Sequence, residues 1–507
     1  MMRIFPSALH LMAGLLLLQS CESDTPPAST SVVPPPVEVT PAQDPARLYG
    51  VLFSDVQLSG MFDHDGVFAT ARPLSDASGI TKAYALEKNE PDFDLKGFLN
   101  THFEINPAPM PQPDFSNPAI FFEEALRQWT FSYEESYWLM LGLDKLGRVE
   151  EMRTLLDQCA AWINTIGHIP QGARGFESSR SNPPVFALMI ELLAKHDGQA
   201  TYRRYFKALE KEYDFWMRGE MQAYNKKEPV ERVVYLPEDD MALNRYWDDS
   251  DMPRSEAYAA DIRTAKEGNR INSLVYRNIR AASESAWDLS SRWIPVGKPT
   301  YEINTADIFP VDLNALLYQT EATLKAMHTQ LRNEPKAFEM ETRMERRKQA
   351  MFKYCWNEEK GYYFDYNFAT RQQSTAITAA GLYPLFVELA TPQRALPVEA
   401  VVRSQLLRPG GLLTTTQNSG KVYDSPNGLP GLHWIAWVGL NHYGMGELAA
   451  EIRQNWVQTV QANLETEGRL FGFYDVISRQ PGKAGDDAFS FQKRDAFIPT
   501  AAVFLLP

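Results

Sequence analysis

With only three cysteines in 507 residues, this chain cannot build a disulfide framework. No CxxC pair and no Cys/His cluster occurs, so we read no zinc site, no other metal and no cofactor. Cys159 falls on the apolar side of a helical pattern and is expected to be a buried free thiol. Basic residues are outnumbered: the net charge is -14 and the pI about 5.2. No basic stripe is available to displace phosphate counterions, which excludes nucleic acid as a partner. Long apolar runs are missing too. The run Leu11 to Leu18 is too short to span a bilayer as a mature helix. Nor is there a sustained alternation of apolar and polar residues, which argues against a large sheet.

What is present begins with targeting. A positive start at Arg3, the short apolar run and Leu18-Gln19-Ser20-Cys21 resemble a bacterial lipoprotein signal. Residues 1–20 would then be removed and Cys21 lipidated, placing the protein in the cell envelope, periplasmic or on the outer membrane. Residues 22–46 contain seven prolines among Ser, Thr and Val. We therefore read 21–47 as an extended tether and 48–507 as one large folded domain.

Within that domain the period is helical. Val149, Met152, Leu155, Leu156, Cys159, Trp162, Ile163 and Ile166 repeat at i, i+3, i+4, i+7, as do Leu448, Ile452, Trp456, Val460 and Leu464. Similar patterns cover 184–196, 202–217, 312–331, 336–354 and 375–390. Stretches rich in Gly, Pro and Asn separate them, notably 167–184, 405–432 and 468–488. The fold class is all-α with long loops that are candidates for function. Aromatic residues make up 12%, including 11 Trp and 22 Tyr, a supply of flat faces suited to sugar rings.

The most informative segment is Glu284-Ser285-Ala286-Trp287-Asp288-Leu289-Ser290-Ser291-Arg292-Trp293, followed by Pro310-Val311-Asp312-Leu313-Asn314. An acid stands between two tryptophans with an arginine four residues on. Apolar rings beside a carboxyl raise its pKa by desolvation, as a proton donor at neutral pH requires. The order of these residues resembles the trehalase family of glycoside hydrolases. So do Leu52-Phe53-Ser54-Asp55-Val56-Gln57, Gly167-His168-Ile169-Pro170, Ser179-Arg180-Ser181-Asn182-Pro183-Pro184, Asn244-Arg245-Tyr246-Trp247-Asp248-Asp249, Pro253-Arg254-Ser255-Glu256, Asp424-Ser425-Pro426-Asn427-Gly428 and Phe473-Tyr474-Asp475-Val476.

That resemblance implies an (α/α)6 toroid with its site in a cup at one end. It also implies inverting hydrolysis of α,α-trehalose to two glucoses without metal, by a monomer. Asp288 then matches the general acid. Arg127, Gln171, Arg180, Arg254, Glu256, Ala286 and Asp424 match sugar-binding positions. Inversion further needs a base roughly 6.5–9.5 Å from the acid, with room for a water between them.

The departures from the family pattern concentrate in the cup. Its Trp-Asp pair is Glu134-Glu135 here, and its Trp-Ala is Leu429-Pro430. Tyr423 replaces a tryptophan, and Gln171 replaces an asparagine. At the position of the family's base, two residues before Tyr474-Asp475-Val476, stands Gly472, which can neither accept a proton nor orient a water. Three readings stay open: the base is supplied by Glu134, Glu135, Asp475 or Asp495; the cup serves another α-linked sugar; or the site binds sugar without cleaving it.

Overall fold

The computed structural model describes residues 41–105, 131–482 and 498–506. Cys21, Arg127 and Asp495 lie outside these residues.

We number the barrel helices in chain order: α1 (Tyr133–Lys145), α2 (Val149–Ile166), α3 (Phe186–Asp197), α4 (Gln199–Trp216), α5 (Asn272–Glu284), α6 (Val311–Gln330), α7 (Glu334–Tyr354), α8 (Tyr383–Phe386), α9 (Pro392–Val401), α10 (Pro430–His442), α11 (Gly446–Glu467) and α12 (Ile498–Leu505). Helix α1 packs on α3, α3 on α6, α6 on α8, α8 on α10, α10 on α12, and α12 returns to α1. Six inner helices thus close a ring. Outside it, α2 packs on α1 and α3, α4 on α3 and α6, α7 on α6, and α11 on α10. This is the (α/α)6 toroid.

The two layers differ in sequence for a physical reason. An outer helix touches the core along one stripe, and α2 buries Met152, Leu155, Leu156, Cys159, Trp162 and Ile163 at helical spacing. An inner helix is surrounded, so α6 buries every residue from Val311 to Leu317, Asp312 and Asn314 included. Local signals end the helices. Gly167 caps α2 in the left-handed region at φ 88°, which only glycine adopts without steric cost.

The expected helices over 184–196, 202–217, 312–331 and 336–354 are present within a few residues. The expected helix over 375–390 is not. A 3₁₀ turn, Ala379–Leu382, leads into the single turn of α8 there. Its apolar residues, apart from the half-buried Tyr383, are buried in the ring, which imitates periodicity without needing a long helix.

The strands are short hairpins and bridges. One three-stranded sheet joins Asn427–Gly428, Tyr474–Asp475 and Gln480–Pro481 in antiparallel register, tying two loops of the cup together. Asp44 caps helix Pro45–Tyr49, and the backbone of Ala42 and Gln43 lies against Gly175. From there to Ile105 the chain builds a smaller aromatic core of Tyr49, Phe53, Phe68, Tyr84, Phe98 and Phe103. That core docks on the segment after Arg254, where Gln57 donates to the Ser255 carbonyl and Asp65 accepts from the Ala259 amide. Cys159 and Cys355 are both buried and free. No described helix is long and apolar enough to cross a membrane.

Candidate active site

Helix α5 ends at Glu284, and the chain reverses at once. Ala286 and Asp288 both take positive φ, 58° and 38°. Non-glycine residues there cost about 1–3 kcal/mol each and persist only where the surroundings over-determine them. Here the Ala286 amide donates to the Ser283 carbonyl and the Asp288 amide to the Ala282 carbonyl. The reversal sets Asp288 against the last turn of α5 and Trp287 toward the centre of the toroid.

Asp288 is buried, at 7% exposure. Its Oδ1 accepts from the Ser283 hydroxyl at 3.0 Å and lies 3.8 Å from Arg254 Nη1. Arg254 is held from behind by Asp261 through Nε–Oδ2 at 3.0 Å and Nη2–Oδ1 at 2.8 Å, and Nη1 donates to Ser283 at 3.1 Å. Gln171 donates to the Ser283 carbonyl at 2.9 Å and accepts from Arg180 Nε at 2.5 Å. Arg180 Nη2 donates to Glu256 at 2.6 Å. Five of the expected residues, Gln171, Arg180, Arg254, Glu256 and Asp288, therefore form one continuous buried network.

Charge in the network is balanced by geometry. Burial pushes the Glu256 carboxyl up, but Arg180, Arg254 and Arg280 more than offset it and hold the group below its ordinary range. Burial likewise works against the ionised Asp248, and Arg280 and Arg180 bring it below the usual carboxylate value. Glu256 Oε2 is buried and has no hydrogen-bond partner among the described residues.

In the same region lies a cleft of about 80 Å³. Ser285, Ala286 and Trp287, the residues just before Asp288, line it, whereas Asp288, Gln171, Arg180, Arg254 and Glu256 are not among its lining residues. Glu134 and Glu135, from the first turn of α1, also line it, as does Asp312 from the first turn of α6. The rest of the lining includes Leu429, Pro430, Leu432, Gly472 and Phe473, and Gly431 lies against Trp138 of α1. The Trp287 ring stacks on Tyr423 at 5.9 Å and 27°.

Asp475, the third base candidate, is placed differently. It is buried in its strand, and its Oδ1 accepts the amides of Ile477 and Ser478 at 2.9 Å, closing its own turn. It does not line the cleft. Asp424 accepts from the Ser291 amide at 2.9 Å and the Ser291 hydroxyl at 2.6 Å, and also from Thr415 and Ser419. Burial raises its pKa, with Ser291 opposing. It pins the 415–425 loop to the segment after Asp288.

The arginine of the opening motif does not face the acid. Arg292 binds Asp312 through two bonds of 2.7 and 2.8 Å and Asp365 through two of 2.7 and 3.0 Å. Its guanidinium lies over the rings of Trp287 and Trp293, at 4.5 and 4.4 Å. Its work is to fix Trp287 and Asp312, two walls of the cleft. The roles of Asp261, Ser283 and Asp365 escaped the sequence reading. Each acts across a long separation or through a small hydroxyl, and no local spacing signals that.

A family model described as trehalase matches residues 129–505. This chain belongs to the trehalase family. It is 34% identical over 542 aligned positions to the periplasmic trehalase of Escherichia coli O17:K52:H18, covering 99% of this chain and 91% of that protein. To the periplasmic trehalase of Shigella flexneri serotype 5b it is 36% identical, covering 94% and 89%. Among solved structures, neutral trehalase Nth1 from Saccharomyces cerevisiae superposes with a TM-score of 0.57 at 20% identity, over 75% of this chain and 74% of that one. That likeness shows the toroid again. Of the departures from the family pattern, Gln171 sits in the network around Asp288, and Leu429, Pro430 and Gly472 line the cleft.

Proposed function

We propose that this chain is an inverting α,α-trehalase. Asp288 protonates the glycosidic oxygen, and a carboxylate lining the cleft activates the attacking water. The observation that carries the reading is the single network joining Asp288 to Arg254, Gln171, Arg180 and Glu256 in the same region as the cleft. A sugar hydroxyl at Glu256 Oε2 would give that buried oxygen a hydrogen-bond partner. Arg127 and Asp424 would complete the ring of sugar contacts, with Ala286 as the close wall. Of the base candidates, Glu134 and Glu135 are favoured because they line the cleft, whereas Asp475 is turned into its own loop. The general acid–base arrangement needs the second carboxyl about 6.5–9.5 Å from the first.

The test is glucose release from trehalose by the protein purified from a trehalase-deficient host, beside Asp288→Asn. Release that vanishes in the variant supports the reading; release that survives in it removes Asp288 from the acid role.

A second reading has its own observation. The wall of Leu429, Pro430, Leu432, Gly472 and Phe473 offers no side-chain acceptor. It suits a different α-linked glucoside, or sugar binding without cleavage. Calorimetry that finds sugar binding with no turnover would favour it over hydrolysis.

For the envelope we infer a signal over 1–20, a lipid on Cys21, and a tether over 21–47 that leaves the folded domain at the membrane surface as a monomer. The two bacterial relatives are named periplasmic trehalases. Release of Cys21→Ala into the soluble envelope fraction would support the anchor; unchanged membrane association would refute it.

A further inference from the structure

Ser283 occupies the last turn of α5 and is buried at 2% exposure. A serine at such a place often returns its hydroxyl to its own helix. Here the hydroxyl instead accepts from Arg254 Nη1 at 3.1 Å and donates to Asp288 Oδ1 at 3.0 Å. Arg254 and Asp288 are themselves 3.8 Å apart, too far for a direct hydrogen bond. The same residue's carbonyl accepts from Gln171, so Ser283 is tied to the sugar-binding side as well.

We propose that Ser283 is a positioning residue for the acid, a hydroxyl that fixes one oxygen of Asp288 and passes the polarity of Arg254 on to it. The inference rests on the reading of Asp288 as the proton donor. As the Asp288 proton moves to the glycosidic oxygen, the C1–O bond breaks, and the released glucose keeps that oxygen as a hydroxyl. The carboxylate left on Asp288 accepts the Ser283 hydrogen bond in its charged form, when such bonds are strongest. Ser283 keeps its own proton throughout. The bond therefore strengthens along the reaction coordinate, which is what lowers a barrier rather than merely binding substrate. The strained backbone at Ala286 and Asp288 is consistent with this: the reversal brings the carboxyl onto the hydroxyl five residues earlier.

The experiment compares two substrates. Trehalose needs a proton on its leaving group, whereas α-D-glucosyl fluoride departs as fluoride and needs none. In Ser283→Ala, kcat on trehalose should fall about 10- to 100-fold with KM nearly unchanged, while the fluoride changes by less than about threefold. Ser283→Thr, which keeps the hydroxyl, should recover most of the loss on trehalose. Alanine is well tolerated in a helix, but loss of the hydroxyl removes a buried bond with Arg254 and one with Asp288, so the alanine variant should melt somewhat earlier than the wild type while keeping its fold. Equal losses on the two substrates, or no loss on either, would overturn the role of Ser283. Failure of the underlying reading looks different: Asp288→Asn would still cleave trehalose, or the wild type would cleave neither substrate. If the added methyl of threonine prevents folding, the two-substrate comparison in Ser283→Ala decides alone.

Discussion

The network around Asp288 and the cleft lining around Gly472 are built on opposite principles. Behind Asp288 the chain buries charge and pairs it: Arg254 with Asp261, Arg180 with Glu256, Arg280 with Asp248. In the neighbouring cleft the lining around Leu429, Pro430, Leu432 and Phe473 is apolar, and it includes Gly472, the position where the family resemblance implies a base. Buried pairs of this kind are not reliable sources of stability, because removing ions from water costs nearly what their attraction returns. Their effect is to fix geometry. The comparison teaches that the residues proposed to hold a glucose and present a proton are held by buried ion pairs, whereas the cleft lining around Gly472 is largely apolar.

The sharpest way to break the comparison is Asp288→Asn. The change is nearly isosteric, so the network and the circular dichroism spectrum should survive while trehalose turnover falls on the order of 10⁴-fold. A variant that turns over trehalose normally would mean that the paired side holds no acid at all.

The second cut tests the carboxylates that line the cleft. Glu134→Gln and Glu135→Gln each remove one carboxylate from the cleft without changing its shape. One of them should lower kcat on the order of 10²–10³-fold, the usual cost of a lost general base. If both retain full activity, the base is neither.

Arg254→Ala probes how the paired side is held. It leaves Asp261, 2% exposed, without its bidentate partner. Breaking one member of a buried pair costs about 3–5 kcal/mol, which urea unfolding will register. Replacing both members with apolar residues of similar size should return part of that loss. A double variant no better than the single would argue that Arg254 is stabilised by something other than Asp261.

How much of this was legible beforehand follows the same division. The outer helices announced themselves, because a stripe facing one core repeats every three to four residues. The stretch 375–390 reads as one long helix instead, since Ala379 to Phe386, apart from the half-buried Tyr383, is buried and its apolar residues imitate a periodic face. The closure of the ring depends on α12 meeting α1 from the far end of the chain, which no local pattern encodes. In the site, Asp288 and its arginines were found through motifs of fixed order. Arg292 stands four residues after Asp288 in sequence, but its partners Asp312 and Asp365 come from other elements, which no local spacing signals. Ser283 stayed invisible because one hydroxyl in a helix reads as any other.

The smallest effect concerns the loop behind the apolar wall. His433, fully buried, donates from Nδ1 to the Leu429 carbonyl and accepts the Leu412 amide at Nε2, both at 2.7 Å. Gly411 passes so close that a Cβ there would sit 2.2 Å from Nε2, and its φ of 132° suits glycine alone. Only the neutral imidazole can make both bonds. Burial pushes its pKa down to about 3, with the Leu429 bond opposing. In the unfolded chain a histidine titrates near 6.5. Between these values only the unfolded state binds the proton, so the stability contributed by the neutral ring is complete above about pH 6.5. It is lost as pH falls, by about 1.4 kcal/mol per unit. His168, lowered to about 4 chiefly by burial, acts in the same direction. Glu212, raised to about 8 by burial, acts in the opposite one. The clean measurement is therefore a difference. The stability gap between wild type and His433→Gln should narrow by about 1.4 kcal/mol for each pH unit from 6 to 4, and a constant gap would mean that the ring is not held neutral between Leu412 and Leu429.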